Sequence, residues 1–166
     1  MKTDIITELK TTREGFLNAL ALSDHSNFNT IPFEGSWTAG QVAEHIYKSI
    51  DGMPGLLSGD AKPTERDPNM MTAGLREMFL NFETKMQSPD FILPSDEPKE
   101  LASLTQQIGD TLNGIIEAGQ HIDVNLTVVG FEFPNAGPVT RIELLNFVSV
   151  HVQRHAHQLK QIRERL

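Results

Sequence analysis

Three of the six histidines, His151, His155 and His157, fall within seven residues near the end of the chain. They sit in Phe147-Val148-Ser149-Val150-His151-Val152-Gln153-Arg154-His155-Ala156-His157-Gln158-Leu159, a stretch with helical periodicity. At about 100° per residue, His151 and His155 share one face of a helix, one turn apart. With Val148 as origin, Leu144, Leu145, Val152, Leu159 and Ile162 lie within roughly 60° of it, and so do His151 and His155. His157 lies about 180° away, on the side that faces water. Two imidazoles therefore point into the stripe that a helical core buries.

Burying two unpaired imidazoles is costly, and more so if either carries charge. A divalent metal removes the difficulty, because neutral imidazole ligates zinc, nickel and iron. Two histidines at this spacing on a helix are a known way to present two ligands to one ion. Two core histidines bonded to backbone or water would satisfy the same pattern, so a third histidine elsewhere is what separates the readings. Val152 stands where the metalloprotease motif HExxH carries its glutamate, which weakens a protease reading. The third candidate is His45. Thr38 and Gln41 make a capping box that opens a second helix, and Val42, His45, Ile46, Ser49 and Ile50 share one of its faces. His45 thus also points inward. Trp37, just ahead of that cap, either packs as a staple or walls a substrate pocket. His25 and His121 fall in stretches that read as loops.

The chain has 166 residues, enough for a real core, and reads as one domain over 1–166. A net charge of −8 leaves no basic patch to neutralise phosphates, so neither nucleic-acid nor anionic-membrane binding is expected. There is no cysteine, which excludes disulfides, thiolate ligands and a cysteine nucleophile. Any thiol chemistry would need a thiol brought by a substrate. Residues 1–20 mix charges through their apolar positions, unlike a signal peptide, and no apolar run reaches transmembrane length. A cytoplasmic location is the expectation.

Four long amphipathic helices must position the histidines. The spacing predicts them over residues 3–22, from Thr38 onward, over 98–118 and from Thr140 to about 165. Residues 70–86 give one extra short helix, whose methionines read as core filling. Residues 51–69 and 88–98 read as irregular connections broken by proline. Gly109 and Gly114 weaken the third long helix where close packing would want them, and Gly119 reads as its C-terminal stop. Residues 121–129 alternate like a short strand or an extended crossing, and 134–138 read as a turn. The fold expected is all-α, a four-helix bundle with long crossover connections.

Trp37-Thr38 before Glu44-His45, then Thr140-Arg141 followed by His151-x-x-x-His155-x-x-Gln158, resembles the DinB/YfiT-like metalloenzyme superfamily. The likeness runs through most of the chain in order and spacing, and the HxxxHxxQ end is its most specific part. It implies a four-helix bundle with a three-histidine metal site, the ligands being His45, His151 and His155 and the metal zinc or nickel. His157 does not match the pattern. Gln158 matches a recurrent position, where it would orient a ligating histidine or bond another helix. The resemblance further implies a metal-dependent S-transferase that uses a low-molecular-weight thiol such as bacillithiol, and a homodimer.

Three neutral imidazoles leave a coordination position free, as in catalytic rather than structural zinc sites. Two alternatives stand beside the transferase. One is metal-dependent hydrolysis, which needs a general base near the metal; Glu44 is a poor one, since it points elsewhere on its helix. The other is a non-catalytic metal-binding stress-response protein.

Overall fold

A computed structural model describes residues 1–166. It is mostly helical, with a small antiparallel sheet. The helices are α1 (Lys2–Ala21), α2 (Ala39–Ile50), α3 (Met53–Ser58), α4 (Thr72–Leu80), α5 (Leu101–His121) and α6 (Arg141–Arg165). The strands are β1 (Ala61–Lys62), β2 (Thr127–Phe133) and β3 (Gly137–Thr140), with β2 in the middle. The sheet corrects the all-α expectation. It forms because β2 and β3 make a hairpin through Pro134, whose turn places Asn135 and Gly137 at φ of 62° and 82°. A bulge between Thr127 and Glu132 lets the hairpin curl over α6.

α1 packs on α5 and α6, and α2 packs on the same two helices from the other side. One hydrophobic cluster joins them, with Phe16, Leu20, Ile46, Ile108, Leu112, Leu144 and Leu145 shielded from water. The two helices that carry histidines start as the sequence requires. Thr38 and Gln41 form a full capping box at α2, and Thr140 and Glu143 form another at α6. Each fixes where its helix begins, and so which turn carries the imidazole.

The glycines of α5 mark helix crossings. A Cβ at Gly109 would touch Leu17 of α1, and one at Gly114 would touch Pro54 of α3. Gly119 does not stop the helix. It is buried within α5, where a Cβ would stand 2.7 Å from Ile6 Cδ1 and 3.4 Å from Leu145 Cδ2. Gly119 thus leaves room for the Ile6 side chain of α1 and the Leu145 side chain of α6 against α5.

The connections differ more from expectation. The stretch 51–69 contains α3 and β1. The helix expected over 70–86 ends at Leu80, because Asn81 leaves the helical region with ψ of 90°. No residue of α4 is buried, so its one methionine, Met78, does not fill the core, whereas Met71 just ahead of it packs against the core. α4 nevertheless lies firmly on α6. The Glu143 carboxylate accepts from both Arg66 terminal nitrogens, at 2.8 and 2.7 Å, and from the Met71 N–H at 2.8 Å, ahead of α4. Arg76 of α4 donates to Glu8 of α1 and to Asn146 of α6.

The side chain of Glu143 is fully shielded from solvent. Burial alone would raise its carboxyl, but the hydrogen bonds from Arg66, Thr140 and Met71 and the Arg66 charge outweigh that and hold it below the ordinary value of 4.5. A depressed folded pKa stabilises the fold above the unfolded value, and that stability is lost as pH falls through the folded one. Glu143→Gln is therefore expected to cost about 2 kcal/mol at neutral pH. It should also lose less stability than the wild type between pH 5 and pH 3 in urea titrations. Equal acid-side slopes for the two proteins would contradict this role.

Candidate metal centre

His45 of α2 and His151 and His155 of α6 converge in the interior, all three buried. One nitrogen from each lies within 4.8 Å of the others. His45 Nε2 and His151 Nε2 are 3.0 Å apart. The rings meet edge to face, with centroids 4.6 to 5.0 Å apart. Two helices supply them because a turn of α6 separates His151 from His155, and α2 crosses that turn.

The outer nitrogens set the tautomers. His45 Nδ1 lies 2.9 Å from the Ile92 carbonyl, which only accepts, so the ring donates there and leaves a lone pair on Nε2. Likewise His155 Nδ1 lies 2.7 Å from Gln158 Oε1 and donates to it. His151 has no such partner. Its Nδ1 is buried without any hydrogen bond, and Phe147 stacks on the ring at 5.1 Å.

All three rings are held neutral. Burial lowers the His45 pKa, against the Ile92 hydrogen bond, with Lys48 adding to the lowering. Burial takes His151 well below its ordinary 6.5, reinforced by His155, His45 and Arg154. His155 is brought to about 3, by burial first and then by His45 and Arg154, against the Gln158 hydrogen bond. Neutral imidazoles with converging lone pairs are a donor set for a divalent cation. Two metal–nitrogen bonds of about 2.1 Å at a tetrahedral angle separate their nitrogens by about 3.4 Å, between the 3.0 Å of His45 and His151 and the 4.8 Å that bounds the whole set. Without a cation, His45 Nε2 and His151 Nε2 face each other with at most one proton between them, and His151 retains an unpaired nitrogen. The residues fit a divalent ion.

The cluster lies in the wall of a cavity of about 1160 Å³. Trp37 lines it, half-buried, 5.0 Å from the His45 ring and stacked at 6.5 Å on His155. Gln158 lines it too. The structure does not bring His25 or His121 to the site; both are exposed. His157 is outside the triad but is not fully on the wet side. It is half-buried, lines the cavity and stacks on Phe82 at 4.4 Å. Glu44 points away, accepting from the Ser95 N–H and pairing with Lys99 at 2.9 Å.

Three contributors escaped sequence reasoning. Ile92 acts through its carbonyl, so no side-chain type announces it. Arg154 donates to the carbonyls of Phe79, Asn81 and Thr84, which pins the turn after α4 over the cavity. Phe147 stacks on His151, and this one was readable, since it lies one helical turn before the histidine.

The family model for the DinB superfamily matches residues 8–159, a span that contains all three histidines. The chain belongs to the DinB superfamily. No curated protein and no solved structure matches it. No helix is long and apolar enough to cross a membrane.

The tautomers can be checked without a metal. Nitrogen-15 spectra of metal-free protein at neutral pH should show His45 and His155 protonated on Nδ1. Gln158→Leu should shift His155 toward the Nε2–H form and leave His45 as it was. An Nε2–H form of His155 in the wild type would refute the assignment.

Proposed function

We propose that this DinB superfamily member is a metal-dependent S-transferase, joining a low-molecular-weight thiol such as bacillithiol to an electrophile. The observation that carries the reading is a set of three neutral, convergent imidazoles in the wall of a cavity large enough for substrates. His45, His151 and His155 are the residues that would hold one zinc or nickel ion. Such an ion supplies a Lewis acid that lowers the pKa of a bound thiol toward neutrality.

The chain's own residues do the rest. The histidines are neutral and add no negative charge, so they would leave the cation's full charge available to a thiolate. Ile92 and Gln158 hold two of the rings in the ligating tautomer. Trp37, Phe79 and Phe147 exclude water from the region where sulfur would attack. In the net reaction the thiol gives its proton to solvent, the sulfur forms a bond to the electrophilic carbon, and the leaving group departs with the bonding pair. The absence of cysteine from the chain means that the nucleophilic sulfur is the substrate's.

The ring of contacts among α1, α5, α2 and α6 supports reading the scaffold as a four-helix bundle in a single domain. The hydrolase reading draws less support, because Glu44 is engaged with Ser95 and Lys99.

Protein purified without a histidine tag should carry one zinc or nickel per chain. His45→Ala and His151→Ala should lose it and His157→Ala should keep it. Gln158→Ala should weaken metal binding by about 10- to 100-fold. Conjugation of a chlorinated nitroarene with bacillithiol should stop on chelation and return with zinc or nickel. Turnover that survives chelation would refute the metal's role, and thiol-independent ester hydrolysis by the metal-loaded protein would favour the hydrolase.

A further inference from the structure

The cavity is larger than the histidine cluster requires. Its volume of about 1160 Å³ exceeds the roughly 300–1,000 Å³ typical of small-molecule sites. Its chemistry is uneven. Polar groups reach the other two rings, Gln158 at His155 and Ser88 3.5 Å from His45 Nδ1, although Trp37 also stacks on His155. Beside His151 it is aromatic. Phe147 stacks on His151, Phe79 meets Phe147 edge-on at 5.4 Å, and Phe133 meets Phe147 at 5.1 Å. Phe131 and Phe133 point the same way from β2 and extend the wall.

α4, which supplies Phe79 to this wall, also turns Leu75 and Met78 to the cavity, neither of them buried. An apolar helix face left open over an aromatic wall is a surface that an apolar ligand would cover. Methionine thioethers adapt to ligands of different outline and contact aromatic rings favourably.

No cationic side chain stacks on Phe79, Phe133 or Phe147, and the two cations nearest the histidines have donors engaged by backbone carbonyls. Lys48 donates to the Leu93 carbonyl at 2.8 Å, and Arg154 is taken up by three carbonyls. Glu83 and Lys85 stand exposed on the turn after α4.

We propose that the wall of Phe79, Phe133 and Phe147 binds the uncharged aromatic portion of a bulky hydrophobic electrophile. Its reactive carbon would lie toward His151, and the polar side beside His155 remains for the thiol. The word electrophile rests on the conjugation reading above; the binding of an uncharged aromatic molecule at this wall does not.

The test uses metal-free full-length protein and a neutral fluorescent probe, N-phenyl-1-naphthylamine. Its emission should rise on binding, and neutral alcohols should displace it in the order naphthylmethyl, benzyl, ethyl, with about tenfold steps. Met78→Lys, at an exposed position, and Phe79→Ser should each weaken the probe by about tenfold. Circular dichroism establishes that both variants fold, and Met78→Lys carries the test should Phe79→Ser unfold. A flat displacement series, or probe binding indifferent to Met78→Lys, overturns the proposal. Nickel quenching of Trp37 emission is measured in parallel. Loss of nickel binding with the aromatic series intact would sink the conjugation reading alone. Metal-dependent conjugation with a flat series would sink this proposal alone.

Discussion

Three imidazoles cannot share a dry interior if any of them is charged, because burial and mutual repulsion both oppose protonation. They cannot all be satisfied by one another either, since each ring turns only one nitrogen toward the other two. Here the donors are turned outward, to Ile92 and Gln158, and the acceptors inward. Lone pairs that face each other across 3.0 Å are unfavourable unless a cation or a proton lies between them. The packing of α2 on α6 holds the rings at this separation.

That packing is what the rest of the chain supplies. Capping boxes fix the starting turns of α2 and α6, and Gly119 lets α5 approach α1 and α6 closely. The buried Glu143 does two jobs, capping α6 and drawing in Arg66 and Met71 so that α4 lies across it. Arg154, next to His155, holds the turn that ends α4, and His157 stacks on Phe82 in the same turn. One stretch of α6 thus carries two of the imidazoles and the fasteners of the cavity's roof. The Ile92 carbonyl comes from a 3₁₀ turn at Asp90–Ile92 packed on α2. A shift of that turn would release the His45 tautomer.

Much of this was legible in the sequence because it depends on local periodicity. The inward faces of His45, His151 and His155 followed from residue spacing, and the caps from Thr-x-x-Gln and Thr-x-x-Glu. What stayed hidden was non-local. A backbone acceptor such as Ile92 has no side-chain signature. The methionine and phenylalanine spacing of residues 70–86 continues past Leu80, while the backbone turns away at Asn81. The same apolar spacing describes a helix that fills a core and one that walls a cavity, so Met70, Met78 and Met86, all exposed, were misplaced, while Met71 does pack against the core. Gly119 resembled a helix stop because a glycine at a close crossing looks the same in sequence. The alternation at 121–129 fitted a short strand and an extended crossing equally, and pairing begins only at Thr127, where β1 and β3 supply partners.

The central claim is that one divalent ion is held by three imidazoles and by nothing else from the chain. X-ray absorption spectroscopy of the zinc- or nickel-loaded full-length protein tests it most directly. The account predicts three imidazole scatterers at about 2.1 Å with the remaining positions filled by light, exchangeable ligands. Two or fewer imidazoles, or a carboxylate from the chain in the coordination shell, would contradict it.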